Sequence, residues 1–186
     1  ILAAQAPHTG DWIDAVPHGN LGTLLSPDQL RVAVAIRLGC KVCEASLCRC
    51  GKKIDKYGLH GLSCRLNAGR FPRHTELNLV VKSTLQHVNV PCQLEPSGLS
   101  RSDGKRPDGL TLCPWSHGRC LLWDVTVTDT VCQTNIIRSS TSAGKAAAAA
   151  ESSKAAKYRD LTPSYMFQPI AFETMGTWGP STSDFL

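Results

Sequence analysis

One aspartate interrupts the most strand-like run in this chain, Leu121-Leu122-Trp123-Asp124-Val125-Thr126-Val127-Thr128. Apolar and β-branched residues of this kind build a buried strand. A carboxylate inside it needs a partner, because burying an unpaired charge costs too much. A second aspartate, Asp108, stands after Lys105-Arg106-Pro107 and opens another apolar run, Gly109 to Cys113. If the two runs pair as neighbouring strands, both carboxylates reach one edge of the sheet. They repel each other unless something positive lies between them, and a divalent cation with oxygen ligands answers that need. The pattern therefore predicts two adjacent strands sharing one cation.

The rest of the chain supplies a frame for such a sheet. Residues 1–26 hold Gly, Pro and His without a sustained period and read as a connector. Ser26-Pro27-Asp28-Gln29 is a helix start, with Ser as N-cap and Pro at the first position. Leu30, Val34 and Leu38 then fall on one face, and Gly39 marks the stop. Leu77, Val80, Val81, Thr84, Leu85 and Val88 recur at helical spacing and predict an amphipathic helix over 74–88. Val90–Leu94, Gly109–Cys113 and Leu121–Thr128 are predicted strands. Ser139–Leu161, with its alanine run, reads as one helix ended by Thr162-Pro163. Met166–Phe172 is a last strand, and Gly176–Leu186 carries no capping element. Helix, three strands, helix, strand is a mixed α/β order. Three segments follow: an N-terminal connector and helix (1–39), a Cys/His segment (40–65) and an α/β core (66–186).

The Cys/His segment has its own logic. Nine cysteines is an odd number for a disulfide scaffold. Five of them, Cys40, Cys43, Cys48, Cys50 and Cys64, crowd together with His60. Cys92, Cys113, Cys120 and Cys132 lie in apolar surroundings and read as small buried hydrophobes. Cys48-x-Cys50 and His60-x3-Cys64 offer four ligands, paired at each end so that both pairs can meet around one tetrahedral Zn²⁺. Gly51 suits the tight turn after the first pair. Cys43 or Cys40 is the alternative to Cys48, whose gap to Cys50 is short. A segment this size has no core of its own and depends on a metal for order.

Composition adds a mild bias. The net charge of +5 and pI near 8.8 favour an anionic partner such as nucleic acid. At 42% hydrophobic residues the chain can bury a core. No apolar run reaches the length of a membrane span. Ile1–Gln5 shows neither an initiator Met nor the basic and apolar regions of a signal peptide, so a fragment of a longer, intracellular polypeptide is expected. Around the two aspartates, a hard divalent cation would fit. A lysine two residues after the second acid would complete a familiar hydrolytic set, but that position is Thr126. The following helix offers Lys154 and Lys157, with Tyr158 completing Lys154-x3-Tyr158. Glu76 on the earlier helix is a further candidate carboxylate, whereas His74 reads as a surface residue or cap.

Cys48-Arg49-Cys50-Gly51, Gly58-Leu59-His60-Gly61-Leu62-Ser63-Cys64, Arg73-His74, Glu95-Pro96-Ser97-Gly98-Leu99, Lys105-Arg106-Pro107-Asp108, Asp124-Val125-Thr126-Val127 and Lys154-x3-Tyr158 occur in this order. Over residues 11–186 the chain resembles the C-terminal part of non-LTR retrotransposon polyproteins, where a zinc knuckle precedes a restriction-like endonuclease of the PD-(D/E)XK type. The resemblance implies a DNA-nicking enzyme whose free 3′ end primes an upstream reverse transcriptase of the same polyprotein, with element RNA as a further partner and the nucleus as its location. It implies that Asp108 and Asp124 hold Mg²⁺, that Lys154 assists the water, and that Arg73, Lys105, Arg106 and Lys157 contact phosphates. Two other readings compete: a zinc-dependent nucleic-acid-binding module without catalysis, and an inactive remnant of such an element.

Overall fold

Ser26 begins the first helix as expected, and the reason is local. Its hydroxyl accepts from the Gln29 amide (3.2 Å) while the Gln29 side chain accepts from the Ser26 amide (2.8 Å), a reciprocal cap that satisfies two orphan donors. The helix α1 (Pro27–Leu38) ends where Gly39 turns to φ 70°. The structure is a computed structural model that describes residues 2–99, 104 and 106–186. The helices that follow α1 are α2 (His60–Ser63), α3 (Arg70–His87), α4 (Ile136–Thr141), α5 (Lys145–Lys157) and α6 (Pro180–Phe185). The strands are β1 (Ser46–Leu47), β2 (Lys53–Ile54), β3 (Cys92–Leu94), β4 (Gly109–Thr111), β5 (Leu121–Thr128) and β6 (Met166–Glu173).

Two compact units emerge. One comprises Ile1–Asn67, Thr128–Ala146 and Glu173–Thr177; the other comprises Ala68–Val127, Ala147–Phe172 and Trp178–Leu186. In the first unit, the Arg37 guanidinium donates to the Ala4 carbonyl (2.7 Å) and the Thr9 hydroxyl (2.8 Å), fixing the irregular N-terminal turns to α1. The face of α1 carrying Leu30, Val34 and Leu38 is exposed, contrary to its apolar pattern. Val32 and Ile36, on the other side, line a cavity of about 670 Å³ with Trp12, Leu25 and Met175.

The second unit holds a four-stranded mixed sheet in the order β3-β4-β5-β6. β3 and β4 are antiparallel, as are β4 and β5. β5 and β6 run in parallel, because Met166 N donates to Cys120 O and, eight residues on, Thr174 N donates to Thr128 O. Leu77, Val81 and Leu85 of α3, spaced every four residues, pack on Cys92, Trp123, Val125 and Ile170. Val80 and Val88, which share the helical period, are exposed instead. The molecule is thus mixed α/β, as its order of elements suggested.

Three sequence expectations need correction. The helix expected over 139–161 is broken: Ser142 leaves the helical region and Gly144 takes φ 78°, so α4 and α5 are separate. The C-terminal segment is ordered into α6, whose first turn is capped by the buried Glu151 carboxylate through the Ser181 amide (3.1 Å) and the Thr182 amide (2.8 Å). Of the four scattered cysteines only Cys92 is buried; Cys113, Cys120 and Cys132 are half-buried. No helix among the described residues is long and apolar enough to cross a membrane.

Candidate metal centre and carboxylate cleft

The Cys/His cluster forms within the first unit. β1 and β2 pair as a minimal hairpin, Ser46 opposite Ile54 and Leu47 opposite Lys53. Between them the chain turns through Cys48–Gly51, closed by Gly51 N donating to Cys48 O (2.8 Å), with Gly51 at φ 82°. A residue with a Cβ is strained in that conformation. α2 then presents His60, and Cys64 follows its last residue. The ligand atoms of Cys48, Cys50, His60 and Cys64 all lie within 4.8 Å of one another. Cys48 Sγ is 3.6 Å from Cys64 Sγ, and Cys50 Sγ is 3.2 Å from His60 Nε2. Zn–S bonds of about 2.3 Å at tetrahedral angles put sulfurs about 3.8 Å apart, so the spacing matches the edges of a zinc tetrahedron. This Cys3His cluster could hold a metal such as zinc. Hydrogen bonding from the Lys52 backbone, with help from Cys48, Cys64 and His60, lowers the Cys50 thiol to about 7. A ligand already half thiolate near neutral pH suits metal capture. Cys43 points its thiol to the Asp55 carbonyl (3.3 Å), and it is Cys48 that stands with Cys50, His60 and Cys64.

The aspartates meet in the second unit. β4 and β5 pair Gly109 with Trp123, and the Asp108 amide, one residue earlier, donates to the same Trp123 carbonyl (2.9 Å), which brings Asp108 beside the strand that carries Asp124. β4 stops here while β5 runs on. The Asp108 carboxylate takes the next amide of β5, accepting from Val125 N at 2.7 Å. The same oxygen is 3.0 Å from His74 Nε2 and accepts from Asn78 Nδ2 (3.3 Å). Asn78 is itself held by Trp123, whose indole N–H donates to its Oδ1 at 3.0 Å. Burial alone would raise the Asp108 carboxyl; the bonds from His74 and the Val125 amide outweigh it and hold the group below its ordinary value. Asp108 in turn raises His74, chiefly through their hydrogen bond.

Asp124 is 2% exposed and is held from α5. Lys154 Nζ donates to its Oδ1, and Lys157 Nζ lies 3.5 Å from its Oδ2. α5 is anchored by Tyr158, fully buried, whose hydroxyl donates to the Arg106 carbonyl (2.8 Å) and whose ring packs on Phe167 with centroids 4.8 Å apart. The Lys154-x3-Tyr158 spacing therefore fastens a lysine to one aspartate and the helix to the loop before the other. A cleft of about 220 Å³ opens at this seam, lined by Arg70, Arg73, His74, Val125, Thr126, Val127 and Lys154.

The expected residues divide accordingly. Asp108, Asp124, Lys154 and Arg73 come together. Thr126 faces the cleft where a lysine was sought. Glu76 is exposed on α3 and does not line the cleft; His74, two residues earlier, meets Asp108 instead. Lys157, expected on phosphate, is committed to Asp124 and to the Tyr158 ring, 4.2 Å from its centroid. Arg106 pairs with Glu95 at the surface rather than lining the cleft. Lys105 lies outside the described residues. Asn78 and Arg70 were not singled out, and His74, expected as a surface residue or cap, instead binds Asp108. The signal was an Asn placed between Leu77 and Val81 on the packed face of an amphipathic helix, since a polar group there must serve a partner.

Taken as chemistry, the cleft presents Arg70, Arg73 and Lys154 beside His74, with Asp108 behind His74 and Asp124 behind Lys154, a setting for an anionic group. The chain matches no protein-family model and no curated protein.

Proposed function

We propose that this chain is a metal-dependent DNA endonuclease domain, of the restriction-like type that accompanies the reverse transcriptase of a non-LTR retrotransposon. The observation that supports it is a cleft lined by Arg70, Arg73, His74 and Lys154, in which His74 binds Asp108 and Lys154 binds Asp124. The donor types suit Mg²⁺: two hard carboxylates on neighbouring strands, with Asp108 Oδ1 accepting no hydrogen bond among the described residues. Asp108 and Asp124 would hold the ion. Bound there, Mg²⁺ supplies a Lewis acid that polarises the phosphoryl oxygens and eases deprotonation of the attacking water.

The protein's own side chains do the remaining work. Arg70 and Arg73 bind the phosphates on either side of the scissile bond, which gives affinity without reading sequence. Lys154 holds Asp124 in place and presents its ammonium to the developing negative charge. His74 and Asn78 fix the Asp108 carboxylate, so it need not reorganise when substrate enters. The cleaved strand keeps a 3′-hydroxyl that serves as primer for the upstream polymerase, and element RNA is the template. Such a substrate puts the protein with chromosomal DNA, in the nucleus. The Cys3His cluster, carrying zinc, orders residues 46–64.

The test is nicking of supercoiled plasmid by zinc-loaded protein with Mg²⁺, beside Asp108→Ala and Asp124→Ala. Mg²⁺-dependent nicking that both substitutions abolish, with DNA binding retained, is the expected result. Undiminished nicking in either variant overturns the assignment. No nicking by folded protein, with salt-sensitive binding intact, would instead support a non-catalytic nucleic-acid-binding module.

A further inference from the structure

The chain has four phenylalanines. Three are packed against another ring: Phe167 on Tyr158 (4.8 Å between centroids), Phe185 on Trp115 (5.9 Å) and Phe172 on Trp178 (6.2 Å). Phe71 is 77% exposed and has no ring partner among the described residues. It belongs to the first turn of α3, between Arg70 and Arg73, both of which line the carboxylate cleft. It also sits three residues before His74, so the two are neighbours along one side of the helix, and His74 touches Asp108. This exposed ring lies within one helical turn of a cleft lined by Arg70, Arg73, His74 and Lys154. Its surroundings select the occupant. A purely apolar partner would have to desolvate two arginines, whereas a nucleotide offers a flat π-face for the ring and a phosphate for the guanidinium groups.

We infer that Phe71 is a stacking platform for an unpaired DNA base, so that the substrate of this cleft is a strand locally freed from its duplex. A strand whose phosphate enters between Arg73 and Lys154 carries its base outward along α3, onto the Phe71 ring. A base kept inside a duplex has both faces covered by its neighbours and gives the ring nothing to stack on. This inference rests on the proposed nuclease site for the path of the strand, but not on catalysis.

The full chain in magnesium-free buffer at fixed salt would be titrated into a fluorescein-labelled oligothymidylate and, separately, a blunt duplex of the same length, with anisotropy as readout. Phe71→Ala is expected to weaken single-strand binding on the order of tenfold and duplex binding much less. Phe71→Leu should behave like Phe71→Ala, and Phe71→Trp should keep affinity and gain a fluorescence signal quenched by the single strand. Unchanged single-strand affinity in Phe71→Ala, full affinity in Phe71→Leu, or equal losses on both DNAs would each overturn the inference. Plasmid nicking by the unsubstituted chain, run in parallel, separates the two ideas. A Phe71 effect without nicking leaves the stacking platform standing and removes the nuclease; nicking without a Phe71 effect does the reverse.

Discussion

Lys154 of α5 donates its ammonium hydrogen bond to the Oδ1 of Asp124, a carboxylate that the strand β5 has carried almost entirely out of water. That bond ties a helix to a strand and settles the charge which the sequence left unexplained. Removing one member of such a pair costs more than the pair contributes, because the survivor is left desolvated. Lys154→Met should therefore destabilise the fold. In a urea double-mutant cycle with Asp124→Asn, the coupling should be about 1–3 kcal/mol. Strict additivity would show that Lys157, 3.5 Å away, already neutralises Asp124 alone.

The His74–Asp108 pair makes stability pH-dependent in magnesium-free buffer. His74 is raised above its ordinary 6.5 by its hydrogen bond to Asp108, so its contribution is full below that value and fades as pH rises through the folded pKa. Asp108 is lowered below its ordinary 3.8, with burial opposing and His74 favouring the shift. Its contribution is present above 3.8 and fades as pH falls through its folded pKa. The stability lost in His74→Gln should thus be greatest between those two ordinary values and shrink on both sides. A difference that stays constant well below and well above that interval, measured by denaturation, would count against an ionic pair.

Zinc content should follow the four geometric ligands. Purified protein should carry a single zinc per chain by elemental analysis. Cys48→Ser or Cys64→Ser should lose it, while Cys43→Ser, whose thiol faces the Asp55 carbonyl, should keep it. Chelation should expose the amides of residues 46–64 to hydrogen exchange, since only a two-strand hairpin and a four-residue helix would remain to hold them.

Gly109 is required by close approach. A Cβ at this position would sit on the Trp123 indole, which is fully buried across the strand pair. Gly109→Ala should cost at least about 1–3 kcal/mol through overpacking. Because Trp123 holds Asn78 and Asn78 holds Asp108, the variant should also lose the proposed nicking under conditions where it remains folded. A folded variant with unchanged nicking and melting temperature would show that the indole shifts freely.

The C-terminal helix depends on one buried carboxylate. Glu151 accepts from the Ser181 and Thr182 amides and from the Thr182 hydroxyl (2.7 Å). Glu151→Ala strands those donors and should lower stability by about 2–3 kcal/mol, seen as a lower urea midpoint.

Local rules carried the sequence reading far in some places. The Ser26 cap and the β5 boundaries depend on neighbours in the chain, and each could be read directly; the Cys/His group could be read too, with Cys43 or Cys40 left open against Cys48 until the structure placed Cys48 in it. Asp124 announced a partner, because no strand of that composition tolerates a lone charge. Other features were closed to such reading. The helix period made Leu30, Val34 and Leu38 look inward, but period alone does not say which side has something to pack against. The alanine run suggested one long helix, yet Gly144 and the Ala146 amide bound to Glu173 Oε1 (3.0 Å) separate α4 from α5.

Sequence by itself determined that this protein is mixed α/β, that two aspartates flank a strand pair and that a Cys/His segment can gather around one ion. Only the tertiary structure decided that His74 rather than Glu76 meets Asp108, that Lys157 turns to Asp124, and that Arg106 pairs with Glu95. Residue type and spacing fix which groups need partners. The partner itself is set by which surfaces the packing of α3 and α5 on the sheet brings within hydrogen-bond reach, and that distance is written nowhere in the linear order.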